Sequence, residues 1–140
     1  MANELIQSRF DQEADVTKSI WVDQTTGLAC MAIRHPELKH WCSYVGITAD
    51  HRLFGVDYDD RELTGVNVHG GITFSDHWYD NPKIWWFGFD CAHVGDYVPF
   101  TARMTGHHFE GDHYWTLEEV QQETTKLAAQ IAALGLTRIE

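Results

Sequence analysis

The chain has 140 residues, 44% apolar and 13% aromatic, with a formal net charge of -11. That length supports one domain with a single sizeable core and is too short for two, and the apolar content excludes a disordered chain. With ten Lys and Arg against 21 Asp and Glu, the balance argues against duplex nucleic acid as a partner, because such affinity comes from basic side chains that neutralise phosphates; a small phosphorylated ligand held by one or two of them stays open.

Asn3 to Thr17 place Leu5, Ile6, Phe10 and Ala14 at helical spacing behind a candidate N-cap, Asn3, and predict a short amphipathic helix. Ser19 to Asp23 reads as a strand, Gln24 to Gly27 as a turn, Leu28 to Ile33 as a second strand ended by Pro36, and Trp41 to Ile47 as a third. A hairpin between the second and third strands would not set Cys30 opposite Cys42. The three cysteines are an odd number and no apolar export core stands at the amino terminus, so reduced thiols and a cytoplasmic location are expected. No run of about 20 apolar residues is present to cross a membrane.

Ala49 to Glu62 is acidic and irregular, and Leu63 to His69 alternates as a strand before the pair Gly70-Gly71, which suits a hairpin turn or a bulge. Asp80 to Lys83 is turn chemistry. Ile84 to Cys91 reads as an interior strand with Trp85, Phe87, Phe89 and Cys91 on one face and Trp86, Gly88 and Asp90 on the other. Pro99 to Trp115 reads as a long loop whose His107, His108, Glu110, Asp112 and His113 follow no zinc spacing. Thr116 and Glu119 form a capping box that opens the clearest helix, with an apolar stripe at Leu117, Val120, Thr124, Leu127, Ile131 and Leu134 and Gly135 at the C′ position. A run of strands followed by a helix predicts an α+β fold: an antiparallel sheet of four to six strands packed by a C-terminal helix, with a short N-terminal helix, in a single domain over 1–140. Six Trp and a long apolar helix also suggest an apolar patch that a homodimer would cover.

Chemistry-bearing side chains concentrate between Val66 and Asp96, at strand ends beside glycines. Cys91 and His93 point the same way on an extended chain, as a nucleophile and its base would, although a thiol inside an apolar strand is most often a core hydrophobe. His69, Asp90, His93 and Asp96 make a second constellation, two imidazoles and two carboxylates, suited to a divalent metal or to acid and base work. Trp78, Trp85 or Trp86 offers a platform for a base, while Arg52, Lys83 and the backbone N–H groups of Gly70 and Gly71 offer donors to phosphate.

Three blocks in order, HRLFGVDYDD (His51 to Asp60), HGGITF and GFDCAHVGD, resemble a family of small proteins encoded by phages and by actinobacterial genomes; the resemblance runs from about Trp41 to Asp96. It draws Arg52 and Tyr58 into the candidate ligand-binding set. It also implies a function class, the binding or destruction of nucleotide signals used in bacterial defence. Two readings follow from residues and resemblance together: a phage-type hydrolase, a phosphodiesterase of a cyclic nucleotide centred on His69, Asp90, Cys91, His93 and Asp96, or a sponge that sequesters such a ligand unchanged. A polar cluster that only braces strand ends is the third alternative.

Overall fold

The computed structural model describes residues 9–78, 81–100 and 111–136. Five strands, β1 (Lys18–Val22), β2 (Ala29–Arg34), β3 (Trp41–Ile47), β4 (Phe74–Trp78) and β5 (Asn81–Asp90), form one sheet in the order β1-β2-β3-β5-β4, and all neighbours are antiparallel. A long helix, Leu117–Gly135, packs on β2 and β3, and a short helical segment at 9–13 precedes β1. This is the predicted α+β architecture. Asn3, the expected cap of the first helix, lies outside the described residues.

Side-chain alternation builds the core. Trp41, Val45 and Ile47 of β3 and Trp85, Phe87 and Phe89 of β5 meet Val120, Leu127, Ala128 and Ile131 of the helix in one buried cluster. Ser43 interrupts the apolar row, but its hydroxyl pairs with that of Thr124 at 2.7 Å, so neither buried oxygen goes unsatisfied. In the β2–β3 hairpin Cys30 faces Val45 and Cys42 faces Ile33, and all three cysteines are free thiols. Ile20 and Val22 are exposed on the edge strand β1.

Charged groups tie the ends of the chain to this core. Arg34, its side chain 2% exposed, donates to the carbonyls of Val16, Lys39 and Glu13, to the Tyr114 hydroxyl and to the Glu13 carboxylate. Glu13 in turn accepts from Trp41 Nε1 at 2.9 Å, from the Tyr114 hydroxyl and from the N–H of Leu117 in the first turn of the long helix. At the other end of that helix His51 Nε2 meets the Ile131 carbonyl at 2.8 Å, and Arg52 Nε donates to the Leu134 carbonyl at 2.6 Å while Arg52 pairs with Glu62 at 3.0 Å. The Arg52 guanidinium satisfies the orphan Leu134 carbonyl and places a positive charge where the helix dipole favours one, while the His51 ring, whose Nδ1 accepts the Leu53 N–H, donates from Nε2 to the Ile131 carbonyl.

The β1 and β2 strands shift by one residue from expectation and β5 ends one residue early, β4 occupies a stretch where no strand was expected, and three larger differences follow. Leu63 to His69 is no strand: a 3-10 turn covers Arg61–Leu63, and the following backbone pairs with helix side chains, Asn67 with Gln130 through both its N–H (2.7 Å) and C=O (2.9 Å) and the His69 N–H with Glu123 at 2.7 Å. Those side chains take the place of a neighbouring strand. The β5 strand starts at Asn81, inside the predicted turn, because β4 supplies a partner as far as Trp78. Gly135 is the last helical residue rather than the residue after the helix, and Leu136 is the cap; a side chain at Gly135 would collide with the His51 ring.

Candidate functional site

The chain turns from Val68 to Gly71, whose N–H donates to the Val68 carbonyl at 2.8 Å. His69 occupies the second corner of this turn and Gly70 the third, with φ +70°, a left-handed conformation that favours glycine. Gly70 is also the floor under His93, because a Cβ added there would run into the His93 ring. Two histidines 24 residues apart in sequence are thereby set at right angles, ring centres 5.7 Å apart.

Each ring has its own carboxylate. Asp96, its side chain 3% exposed, holds His69 Nε2 with both oxygens, Oδ1 at 2.9 Å and Oδ2 at 2.8 Å. Its Oδ2 also accepts the His93 backbone N–H at 2.9 Å, and Oδ1 accepts Trp115 Nε1 at 3.1 Å. With Nε2 committed as a donor, the neutral His69 ring presents Nδ1 as its free lone pair. The Trp115 ring lies 4.3 Å from the His69 ring, and the His69 side chain keeps 24% of its surface open. His93 Nε2 lies 3.1 Å from Asp90 Oδ1, an ion-pair distance without hydrogen-bond alignment, so among the described residues this buried nitrogen has no aligned partner. Asp90 is fixed in turn by the Ala92 N–H at 3.1 Å and the Thr73 hydroxyl at 3.2 Å.

The wall of the site comes from chain that is remote in sequence. Asp96 and His113 form a parallel bridge, and His113 Nε2 pairs with Glu119 Oε2 at 2.9 Å at the start of the long helix. His40 is buried, and its Nδ1 has no partner among the described residues. Burial first, then the neighbouring His35, holds its pKa below the ordinary imidazole value, against the opposing pull of Asp90 and Asp96.

Several expected members do not join the site. Cys91 is 2% exposed in the apolar core, and burial first, then the Asp96 carboxylate, drives its thiol far above the ordinary range, so it is a core hydrophobe and no thiolate nucleophile. Asp90, His93, His69 and Asp96 do come together, but not as a metal centre: among the described residues no group of three or more His, Cys, Asp or Glu is placed to hold an ion, and the Asp96 oxygens are already taken by N–H donors. Arg52 sits at the helix C-terminus, about 16 Å along the helix from the Glu123 contact of His69 at 1.5 Å per residue. Lys83 and Asp90 lie at opposite ends of β5, about 23 Å apart at about 3.3 Å per residue. Tyr58 is 46% exposed beside Ser75, to which its N–H donates. Trp85 is buried with Nε1 donating to the Val56 carbonyl, Trp86 is buried on the opposite sheet face, and Trp78 packs edge-on against Tyr44 at 5.1 Å. The Gly71 N–H is consumed by its own turn, leaving no paired-glycine cradle for phosphate.

Sequence reasoning missed Trp115, Glu123, Thr73 and His40. Trp115 directly precedes the capping box, which places it at a helix start; nothing local says that this start abuts the end of β5. His107, His108 and Glu110 lie outside the described residues. Compared with protein families, curated proteins and solved structures, the chain matches none. Among the described residues no helix is long and apolar enough to cross a membrane.

Proposed function

We propose that the two facing dyads, His69–Asp96 and His93–Asp90, are the acid and base of a hydrolase that opens a phosphodiester in a small cyclic nucleotide. The observation that carries this reading is the geometry of the two rings: perpendicular, 5.7 Å apart, each beside its own carboxylate, with one imidazole nitrogen left free by the double grip of Asp96 on His69. A polar brace of strand ends has no use for two such pairs side by side. In the reaction His69 Nδ1 takes a proton from water as its oxygen bonds to phosphorus, and the His93 imidazolium gives a proton to the leaving ester oxygen as the P–O bond breaks. Asp96 holds the base in one tautomer and Asp90 stabilises the charged acid; such positioned groups contribute about 10²- to 10⁴-fold each. Trp115, half-buried with its ring 4.3 Å from the His69 ring, offers an aromatic surface to the base of the nucleotide. Removal of a nucleotide signal used in bacterial defence is the biological role that follows.

The test incubates the protein with a panel of cyclic nucleotides, heats it, and separates what is released by chromatography. The expected result is a ring-opened product, lost by about 10²-fold or more in His69→Ala and in His93→Ala. Intact nucleotide released only on heating would replace hydrolysis with sequestration. Hydrolysis that survives both substitutions would remove the dyads from the mechanism.

A further inference from the structure

A second cleft, of about 480 Å³, opens between the start of β1 and the β2–β3 loop, lined by Thr17, Lys18, Ile33, Arg34, His35 and their loop neighbours Pro36 and Lys39. Among the described residues its lining contains no carboxylate and three of the ten basic residues of a chain with net charge -11. Glu13 offsets Arg34. Among the described residues the ammonium groups of Lys18 and Lys39 are held by no carboxylate. His35 adds a directed donor: its Nδ1 accepts the N–H groups of Glu37 (3.2 Å) and Leu38 (3.0 Å), so the proton of the neutral ring sits on Nε2. The backbone supplies a separate sign. Lys39 is the one described residue other than glycine with positive φ, +73°, and its carbonyl is pinned by Arg34 Nη1 at 2.7 Å. A lysine kept in a left-handed conformation by a buried arginine is a strained placement of a cation, and strain of that kind clusters at ligand sites.

We propose that this cleft is an anion site, built by Lys18, Lys39 and His35 on the fixed charge of Arg34, for the phosphate of a small phosphorylated ligand. A cleft lined by one sign of charge focuses its field, which matters most where the rest of the surface repels anions. His35 stacks on His40 at 5.0 Å, and the Asp90 and Asp96 carboxylates act on the ionisation of His40. The proposal goes beyond the hydrolase reading and does not need it.

Inorganic phosphate titrated into the full chain at fixed ionic strength, followed by amide NMR, tests it. Saturable shifts are expected at 17–18, 35 and 37–39, with affinity about tenfold weaker in the double variant Lys18→Gln, Lys39→Gly, which removes two surface charges from the anion. Lys39→Gly removes the ammonium and the conformational strain together, so its Tm should hold or rise while phosphate binding weakens. Lys18→Gln alters an exposed side chain and reports the charge with the backbone unchanged. Lys83→Gln, a loss of charge at the far end of β5, should bind phosphate as the parent does. Absence of saturation, equal affinity in the double variant, or loss of the phosphate shifts in Lys83→Gln would each overturn the proposal.

Discussion

Replacing Asp96 by Asn keeps the shape of the side chain and removes one acceptor from a group that uses both. In the native site Oδ1 takes Trp115 Nε1 and Oδ2 takes the His93 N–H, while His69 Nε2 spans the two. An amide has one oxygen, so either orientation sets its NH₂ against a donor. With the oxygen at the Oδ1 position the His93 N–H is orphaned; with it at Oδ2 the indole N–H is orphaned. An unsatisfied buried donor costs about 1–3 kcal/mol, and loss of the charge from the remaining bonds weakens them further, giving about 2–4 kcal/mol in all. Urea unfolding followed by circular dichroism reads this as a midpoint lowered by about 0.7 M or more, given slopes of about 1–3 kcal/mol/M. Trp115→Phe removes the donor that one orientation orphans, so Asp96→Asn with Trp115→Phe should be less destabilising than the two single effects added, by about 1–2 kcal/mol of coupling. Strict additivity, or a loss below about 0.5 kcal/mol for Asp96→Asn, would refute the assignment of Asp96 as the shared acceptor.

Arg34→Met leaves the Val16, Lys39 and Glu13 carbonyls without their donor and should lower stability by about 3–5 kcal/mol, as expected for one half of a buried ion pair; urea unfolding checks it. Gly70→Ala meets both an unfavourable φ and the His93 ring, whereas Gly71→Ala meets only the φ of +79° with nothing within 4 Å of its new Cβ. The first should therefore exceed the second by at least about 1 kcal/mol and, unlike the second, shift the His93 ring signals in NMR. Burial raises the thiols of Cys30 and Cys42 to about 11 from 9.0. The unfolded chain then loses these protons first, so stability falls as pH rises from about 9 to about 11, and urea midpoints should decline less steeply over that range in Cys30→Ala.

The alternation of Trp85, Phe87, Phe89 and Cys91, the hairpin of β2 and β3 and the capping box at Thr116 are local patterns, each decided within a few residues, and all were legible before any tertiary contact was known. Leu63 to His69 has a strand's alternation as well, yet it is not a strand, because Gln130 and Glu123 on the helix satisfy its backbone and among the described residues no strand pairs with it. The His and Asp of the site were visible as residue types; their pairing was not. Asp96 could have served the Cys91 thiol or the His93 ring by proximity in the chain; it takes the His93 backbone N–H but holds the His69 ring, because the turn closed by Gly70 brings that ring across from 27 positions away. Arg52 and Lys83 have the right charge for phosphate, and only the packed chain commits one to a helix end and carries the other to the far end of β5. Sequence periodicity determines which face of an element is buried, since burial is a property of each side chain. Which buried or half-buried polar groups meet depends on the distances between elements, and those follow from how the helix seats on the sheet.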